Sequence, residues 1–118
     1  MGQIIEKLAT ERGHEIVAKF NSQTPFTSDT KLDADVAIEF SSPELATKHI
    51  QWCVDQQVPV VTGTTGWYAE YDTIKQYCTD HAGSLFTATN FSLGVNLFFE
   101  MSKRITQLMN QQPYTTSI

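Results

Sequence analysis

The sequence predicts an α/β fold built on a doubly wound parallel sheet. Three observations carry this: short β-branched or aromatic runs alternate with longer runs of helical period; the connections between successive runs can each hold a helix of several turns; and the strand runs are apolar enough to be covered on both faces. Strands joined by such crossovers must run parallel, because each helix returns the chain to the same end of the sheet.

The elements follow in order. Ile4, Ile5, Leu8 and Ala9 fall on one face of an opening helix, and Arg12-Gly13 has the charge and the glycine expected where a helix ends. Glu15–Phe20 has the residue types of a strand, and Asn21–Leu32 is polar and aperiodic, hence a loop. A second strand is expected at Val36–Phe40. The helix Pro43–Gln57 follows, with Leu45, Ala46, Ile50, Cys53 and Val54 on one face, Ser41 and Ser42 as candidate N-caps and Pro43 in the first turn. Val58–Thr62 is the third strand, and its Val58-Pro59-Val60-Val61 run fits a strand buried on both sides. Glu70–Ala82 is a helix presenting Tyr71, Ile74, Tyr77, Cys78 and His81, with Gly83 as its stop, and Ser84–Thr89 is the fourth strand. The last helix runs from about Leu93 to Asn110. Val95, Leu97, Phe98, Phe99 and Met101 make its first half apolar nearly all round, so packing on more than one side is expected.

A helix that opens at Met1-Gly2 has no strand before it. A doubly wound fold normally enters its first helix from a central strand through a glycine turn, so that strand is expected to lie upstream of the sequence.

Composition narrows the function. At 118 residues the chain can form one domain, burying about 65% of the surface of its unfolded form. Hydrophobic residues make up 41% and charged ones 18%, without a block of like charge or a Pro/Gly/Ser tract, which excludes a disordered chain. A net charge of -5 leaves no surplus of Lys and Arg for a phosphate polymer, so no nucleic-acid partner is expected. A single dinucleotide is compatible, since backbone N–H groups and a helix dipole can hold it. There is no run of about 18 apolar residues for a membrane span and no apolar core of a signal peptide at the N-terminus; a cytoplasmic protein with no membrane partner is expected. Cys53 and Cys78 show neither C-x-x-C spacing nor clustered histidines and are read as buried thiols.

In an open parallel sheet, ligands bind beyond the carboxyl ends of the strands. Three loops stand there: Ser41-Ser42-Pro43-Glu44, Gly63-Thr64-Thr65-Gly66-Trp67 and Asn90-Phe91-Ser92-Leu93-Gly94. In the second, two glycines allow close backbone approach to a ligand, and two hydroxyls can donate to a ribose or an amide. It can equally be a plain strand-to-helix turn with threonine caps. The third can be capping chemistry alone, with Ser92 as N-cap and Phe91 as hydrophobic staple. His14, His49 and His81 are scattered without ligand spacing and read as structural or solvent-facing, and Trp52 and Trp67 as core or rim aromatics. Glu6, Glu11 and Glu44 sit at helix ends or faces, where solvation and the helix dipole account for them. No phosphate-cradling G-x-x-x-x-G-K-[ST] loop and no Ser, His and acid arrangement can be assigned.

Together the strings Asp35-Val36-Ala37-Ile38-Glu39-Phe40-Ser41-Ser42-Pro43-Glu44, Val58-Pro59-Val60-Val61-Thr62-Gly63-Thr64-Thr65-Gly66-Trp67 and Ala88-Thr89-Asn90-Phe91-Ser92-Leu93-Gly94-Val95-Asn96 closely resemble the dihydrodipicolinate reductases, in that family's order and spacing. The resemblance covers Met1 to about Pro113, and Met1-Gly2 looks like the tail of the family's glycine-rich G-x-G-x-M-G loop. It implies a Rossmann-like cofactor domain over residues 1–113, with 114–118 an uncharacteristic tail or the start of a substrate domain. It also implies reduction of a cyclic unsaturated dicarboxylate with NADH or NADPH in bacterial lysine and diaminopimelate synthesis, and a homotetramer formed through the substrate domain. The cofactor-binding positions it implies are Met1, Phe40 and Ser41; Gly63, Thr64 and Thr65 near the nicotinamide ribose; and Ala88, Thr89, Asn90 and Phe91 flanking the nicotinamide.

Three features depart from the family pattern. The upstream strand and first two glycines are absent. Phe20-Asn21 stands where many relatives carry an acid or a base that reads the ribose, so the preference between NADH and NADPH is not readable there. The E-x-H-H-x-x-K-x-D-x-P-S-G-T signature of the substrate domain has no counterpart, so no catalytic residue and no metal ligand is assigned. The competing reading is a non-enzymatic α/β module that binds a nucleotide or a protein; a metal protein using Cys53, Cys78 and the histidines is a weaker third. A chain limited to Met1–Ile118 is expected to show no turnover and weak cofactor binding, and one extended by about ten residues upstream to gain stability and affinity.

Overall fold

The computed structural model describes residues 1–27 and 29–112. In chain order its elements are α1 (Gly2–Glu11), β1 (Ala37–Glu39), α2 (Pro43–Asp55), β2 (Val60–Thr62), a 3-10 turn (Tyr68–Glu70), α3 (Tyr71–Asp80), β3 (Leu85–Thr87) and α4 (Leu93–Met109). The chain divides into two compact units, Met1–Thr87 and Ala88–Ile118. The expected tail at 114–118 lies outside the described residues.

The three strands form one parallel sheet in the order β1-β2-β3, giving the expected α/β, Rossmann-like class. Register aligns Ala37, Val60 and Leu85 in one row, Ile38, Val61 and Phe86 in the next, and Glu39, Thr62 and Thr87 in the last. Side chains alternate across a strand, so the first and third rows share a face. That face is covered by α2 and α3. Both crossovers step the same way across the sheet, and crossovers of one hand then place both helices on one side. Ala46, Ile50, Cys53 and Val54 of α2, Val60 of β2, Trp67, and Ile74 and Cys78 of α3 make the core. Both cysteines are buried free thiols within it.

Local chemistry sets the helix ends. Ser42 is the N-cap of α2 with extended backbone, and Pro43 occupies the first turn, where its missing N–H costs no hydrogen bond. The three helices of the first unit close alike. A residue with positive φ follows each cap: Gly13, Gln57 and Ala82. The next N–H reaches back to the last turn, from His14 to Ala9, from Val58 to Cys53 and from Gly83 to Cys78, as in a Schellman motif. The left-handed position after α3 is therefore Ala82 and not the expected stop, Gly83. Gly83 serves close packing instead, because a Cβ there would stand 2.7 Å from both Val54 methyl groups.

Four expectations are corrected. Glu15–Phe20 is not a strand; it is exposed, irregular chain tied to α1 by the Lys19–Glu6 ion pair at 2.8 Å. β propensity alone does not hold a strand that has no neighbouring ladder to join. The strands at Val36–Phe40, Val58–Thr62 and Ser84–Thr89 are each shorter, three residues long. The second row of the sheet is not buried as expected: Ile38 and Phe86, facing away from α2, are 53% and 60% exposed. Finally, α4 buries none of its residues, and Leu93, Leu97, Phe98, Phe99 and Met101 are all exposed. The apolar face of α1 is likewise without a buried residue.

Candidate functional site

The parallel sheet brings the carboxyl ends of β1 and β2 side by side, with Glu39 opposite Thr62. The ladder continues one step, as the Gly63 N–H donates to the Glu39 carbonyl at 2.9 Å. Beyond it the two strands open into Phe40-Ser41-Ser42 and Gly63-Thr64-Thr65-Gly66.

Phe40 lies directly over Gly63. A Cβ on Gly63 would stand 2.1 Å from Cε1 and 2.2 Å from Cζ of the Phe40 ring, so the glycine is needed for the ring to lie where it does. Gly66 has φ of 87°, and a Cβ there would also press on Pro43 at 3.0 Å. Trp67, buried in the core, anchors the same loop by donating its indole N–H to the Thr64 carbonyl at 2.9 Å.

Under the loops sits a buried carboxylate. Glu39 is 7% exposed. Its Oε1 accepts from the Ser41 hydroxyl and, at 3.1 Å, from the Thr64 hydroxyl, and its Oε2 accepts from the Thr62 hydroxyl. His49 Nδ1 of α2 lies 3.4 Å from Oε1. Thr64 is 5% exposed, and its Oγ1, having given its proton to Glu39, accepts the Ser41 backbone N–H at 2.7 Å. The Thr64 hydroxyl is thus committed within the protein, whereas Thr65 is exposed and neither its N–H nor its hydroxyl engages another described residue. Burial, and secondarily the negative charge of Glu39, push the Cys53 thiol up to about 11. At the start of α2, hydrogen bonds from the Ser42 side chain and its own backbone N–H hold the exposed Glu44 carboxyl below its ordinary value.

The expected positions fall into three places. Phe40, Ser41, Gly63, Thr64 and Thr65 come together at the ends of β1 and β2. Met1 is the exposed N-cap of α1, where its carbonyl accepts the N–H groups of Ile4 and Ile5. Ala88, Thr89, Asn90 and Phe91 belong to the second unit. There Asn90 Oδ1 accepts the Ser92 N–H at 2.7 Å, the Ser92 hydroxyl caps α4 through Val95, and the Asn96 amide reaches back to the Asn90 carbonyl at 2.9 Å. Sequence reasoning missed Glu39. The available signal was a charged side chain inside an otherwise apolar strand run, at an alternation that puts it on the same face as Ala37.

The family model described as the N-terminus of dihydrodipicolinate reductase matches residues 1–91. The chain is 39% identical over 109 residues to the 4-hydroxy-tetrahydrodipicolinate reductase of Christiangramia forsetii, an alignment covering 92% of this chain and 46% of that protein. It is 34% identical over 107 residues to the protein of the same name from Neisseria meningitidis, covering 90% of this chain and 39% of that one. With that of Buchnera aphidicola the identity is 37% over 82 residues, covering 69% and 30%. The chain therefore spans less than half the length of these relatives, and across that span it belongs to the dihydrodipicolinate reductase family.

Proposed function

We propose that this chain supplies the cofactor-binding part of a cytoplasmic reductase that uses NADH or NADPH to reduce a cyclic dihydrodipicolinate-type substrate on the route to lysine and diaminopimelate. The observation that carries this reading is the pair of loops at the carboxyl ends of β1 and β2, joined through one buried carboxylate and leaving Phe40 and Thr65 at the exposed rim. Ligands of open parallel sheets bind at that edge. The residues present suit a dinucleotide: the Phe40 ring offers an apolar face, and the N–H and hydroxyl of Thr65 are donors without a protein partner among the described residues. When bound, the nicotinamide supplies the hydride. The chain's part is to hold and orient it. Gly63 and Phe40 shape the floor, Thr64 holds the two loops together, and Thr65 donates. Parts for Met1 and for Ala88, Thr89, Asn90 and Phe91 are proposed from the family resemblance alone, as is a homotetramer.

The test is a titration of this chain with NADH and with NADPH, followed by calorimetry and by Trp67 emission. Thr65→Ala, which disturbs no internal hydrogen bond, should weaken binding about fivefold, the worth of one ordinary hydrogen bond. Saturation by neither nucleotide, or equal affinity in the folded variant, would overturn the assignment.

A further inference from the structure

We infer that Glu39 is a positioning residue for this site: its carboxylate fixes the Phe40-Ser41 and Gly63-Thr64-Thr65 loops relative to each other, and so sets the geometry of the groups offered to a nucleotide. The inference rests on the cofactor reading given above.

Two rows of the sheet share the face under α2 and α3. The row Ala37, Val60, Leu85 is apolar, as packing requires, while the row at the carboxyl end, Glu39, Thr62, Thr87, is polar throughout. A buried carboxylate is costly unless its lone pairs are satisfied, and an apolar side chain of similar volume would pack there without that cost. Stability is therefore a poor account of Glu39. Its partners supply a better one, because they come from separate stretches of chain: Ser41 after β1, Thr62 at the end of β2, Thr64 in the following loop and His49 on α2.

The direction of these bonds matters. An ionised carboxylate is acceptor-only, so every hydroxyl facing it must donate. Thr64, its proton given to Oε1, is left with a lone pair for the Ser41 N–H at 2.7 Å. The charge thus orders a relay from Glu39 through Thr64 to the Ser41 backbone. Glu39→Gln keeps the volume but replaces one oxygen by a donor. Whichever way the amide turns, a hydroxyl that donated must reverse or lose its partner, and the loops lose their common reference. Both rim positions lie one residue from this relay, Phe40 before Ser41 and Thr65 after Thr64.

The experiment compares Glu39→Gln with Val54→Ala. Val54 is fully buried near the other end of α2, against Gly83, so its truncation destabilises the core away from both loops. Glu39→Gln should weaken NADH or NADPH binding by about tenfold or more, as a shifted binding group does, while Val54→Ala, at a comparable loss of melting temperature, should leave affinity within about twofold. Glu39→Asp, which keeps the charge, should lie closer to the parent chain than Glu39→Gln does. Equal affinity loss in Glu39→Gln and Val54→Ala, or none in Glu39→Gln, overturns the inference. If the parent chain saturates with neither nucleotide, the cofactor reading fails, and the positioning role is decided by hydrogen exchange. The Ser41 amide should then exchange faster in Glu39→Gln beyond the change seen at the β2 amides, and an unchanged Ser41 rate relative to β2 overturns it.

Discussion

Replacing Gly63 by alanine tests how the two loops fit together. The added Cβ would sit 2.1 Å from the Phe40 ring, well inside contact distance, so the ring must swing away. Gly63 does not have a left-handed φ, and the cost is therefore steric rather than conformational. A ring forced off its rotamer with partial loss of packing costs about 1–2 kcal/mol. Phe40 is 39% exposed, so truncating it to alanine should cost about 2–3 kcal/mol, roughly 60% of the value for a fully buried phenylalanine. The two changes should not add. With the ring gone the three atoms nearest the added Cβ are removed, and the Gly63→Ala/Phe40→Ala double variant should cost about as much as Phe40→Ala alone, a coupling of about 1–2 kcal/mol. Urea unfolding followed by circular dichroism measures all four chains. If the double variant loses the sum of the single losses, Gly63 is not there to admit the Phe40 ring, and this account of the loop is wrong.

Ile50 is fully buried at the centre of the α2 face, so Ile50→Ala should cost about 3–5 kcal/mol, read as a lower urea midpoint at unchanged slope; a loss under about 1 kcal/mol would mean that this core is not packed as described. The Cys53 thiol, raised from 9.0 to about 11, favours the protonated form in the fold, so the unfolded chain loses this proton first as pH rises. Stability linked to it is complete below pH 9 and is lost as the pH rises from 9 towards 11, which melting temperatures over that range will show, with Cys53→Ala giving a flatter profile. Because Glu39 contributes to that shift, Glu39→Gln should lower the pH at which Cys53 absorbs as thiolate, and an unmoved titration would contradict that contribution.

Much of this chain is decided locally and is legible without coordinates. The period of Leu45, Ala46, Ile50, Cys53 and Val54, and of Ile74, Tyr77 and Cys78, determines two helices, and short apolar runs between them determine strands that must be parallel. From parallel order alone, the Phe40-Ser41 and Gly63-Thr64-Thr65 loops must share an edge. The start of α2 at Ser42-Pro43 and the end of α1 at Arg12-Gly13 are readable for the same reason, since caps involve residues a few positions apart, whereas the left-handed closures at Gln57 and Ala82 carry no glycine to signal them. Only the tertiary structure decided the rest. Glu15–Phe20 has strand residues and is no strand, because a ladder needs a neighbour that local composition cannot supply. Sequence reading treats Thr64 and Thr65 alike, as two hydroxyls in one turn. The fold separates them, burying Thr64 onto a carboxylate 25 positions earlier and leaving Thr65 outward. Glu39 shows the same division: alternation along three residues chooses its face, but its partners Thr62 and Thr64 lie 23 and 25 positions away. What a buried charge does depends on which donors surround it, and those donors arrive only when distant strands pair.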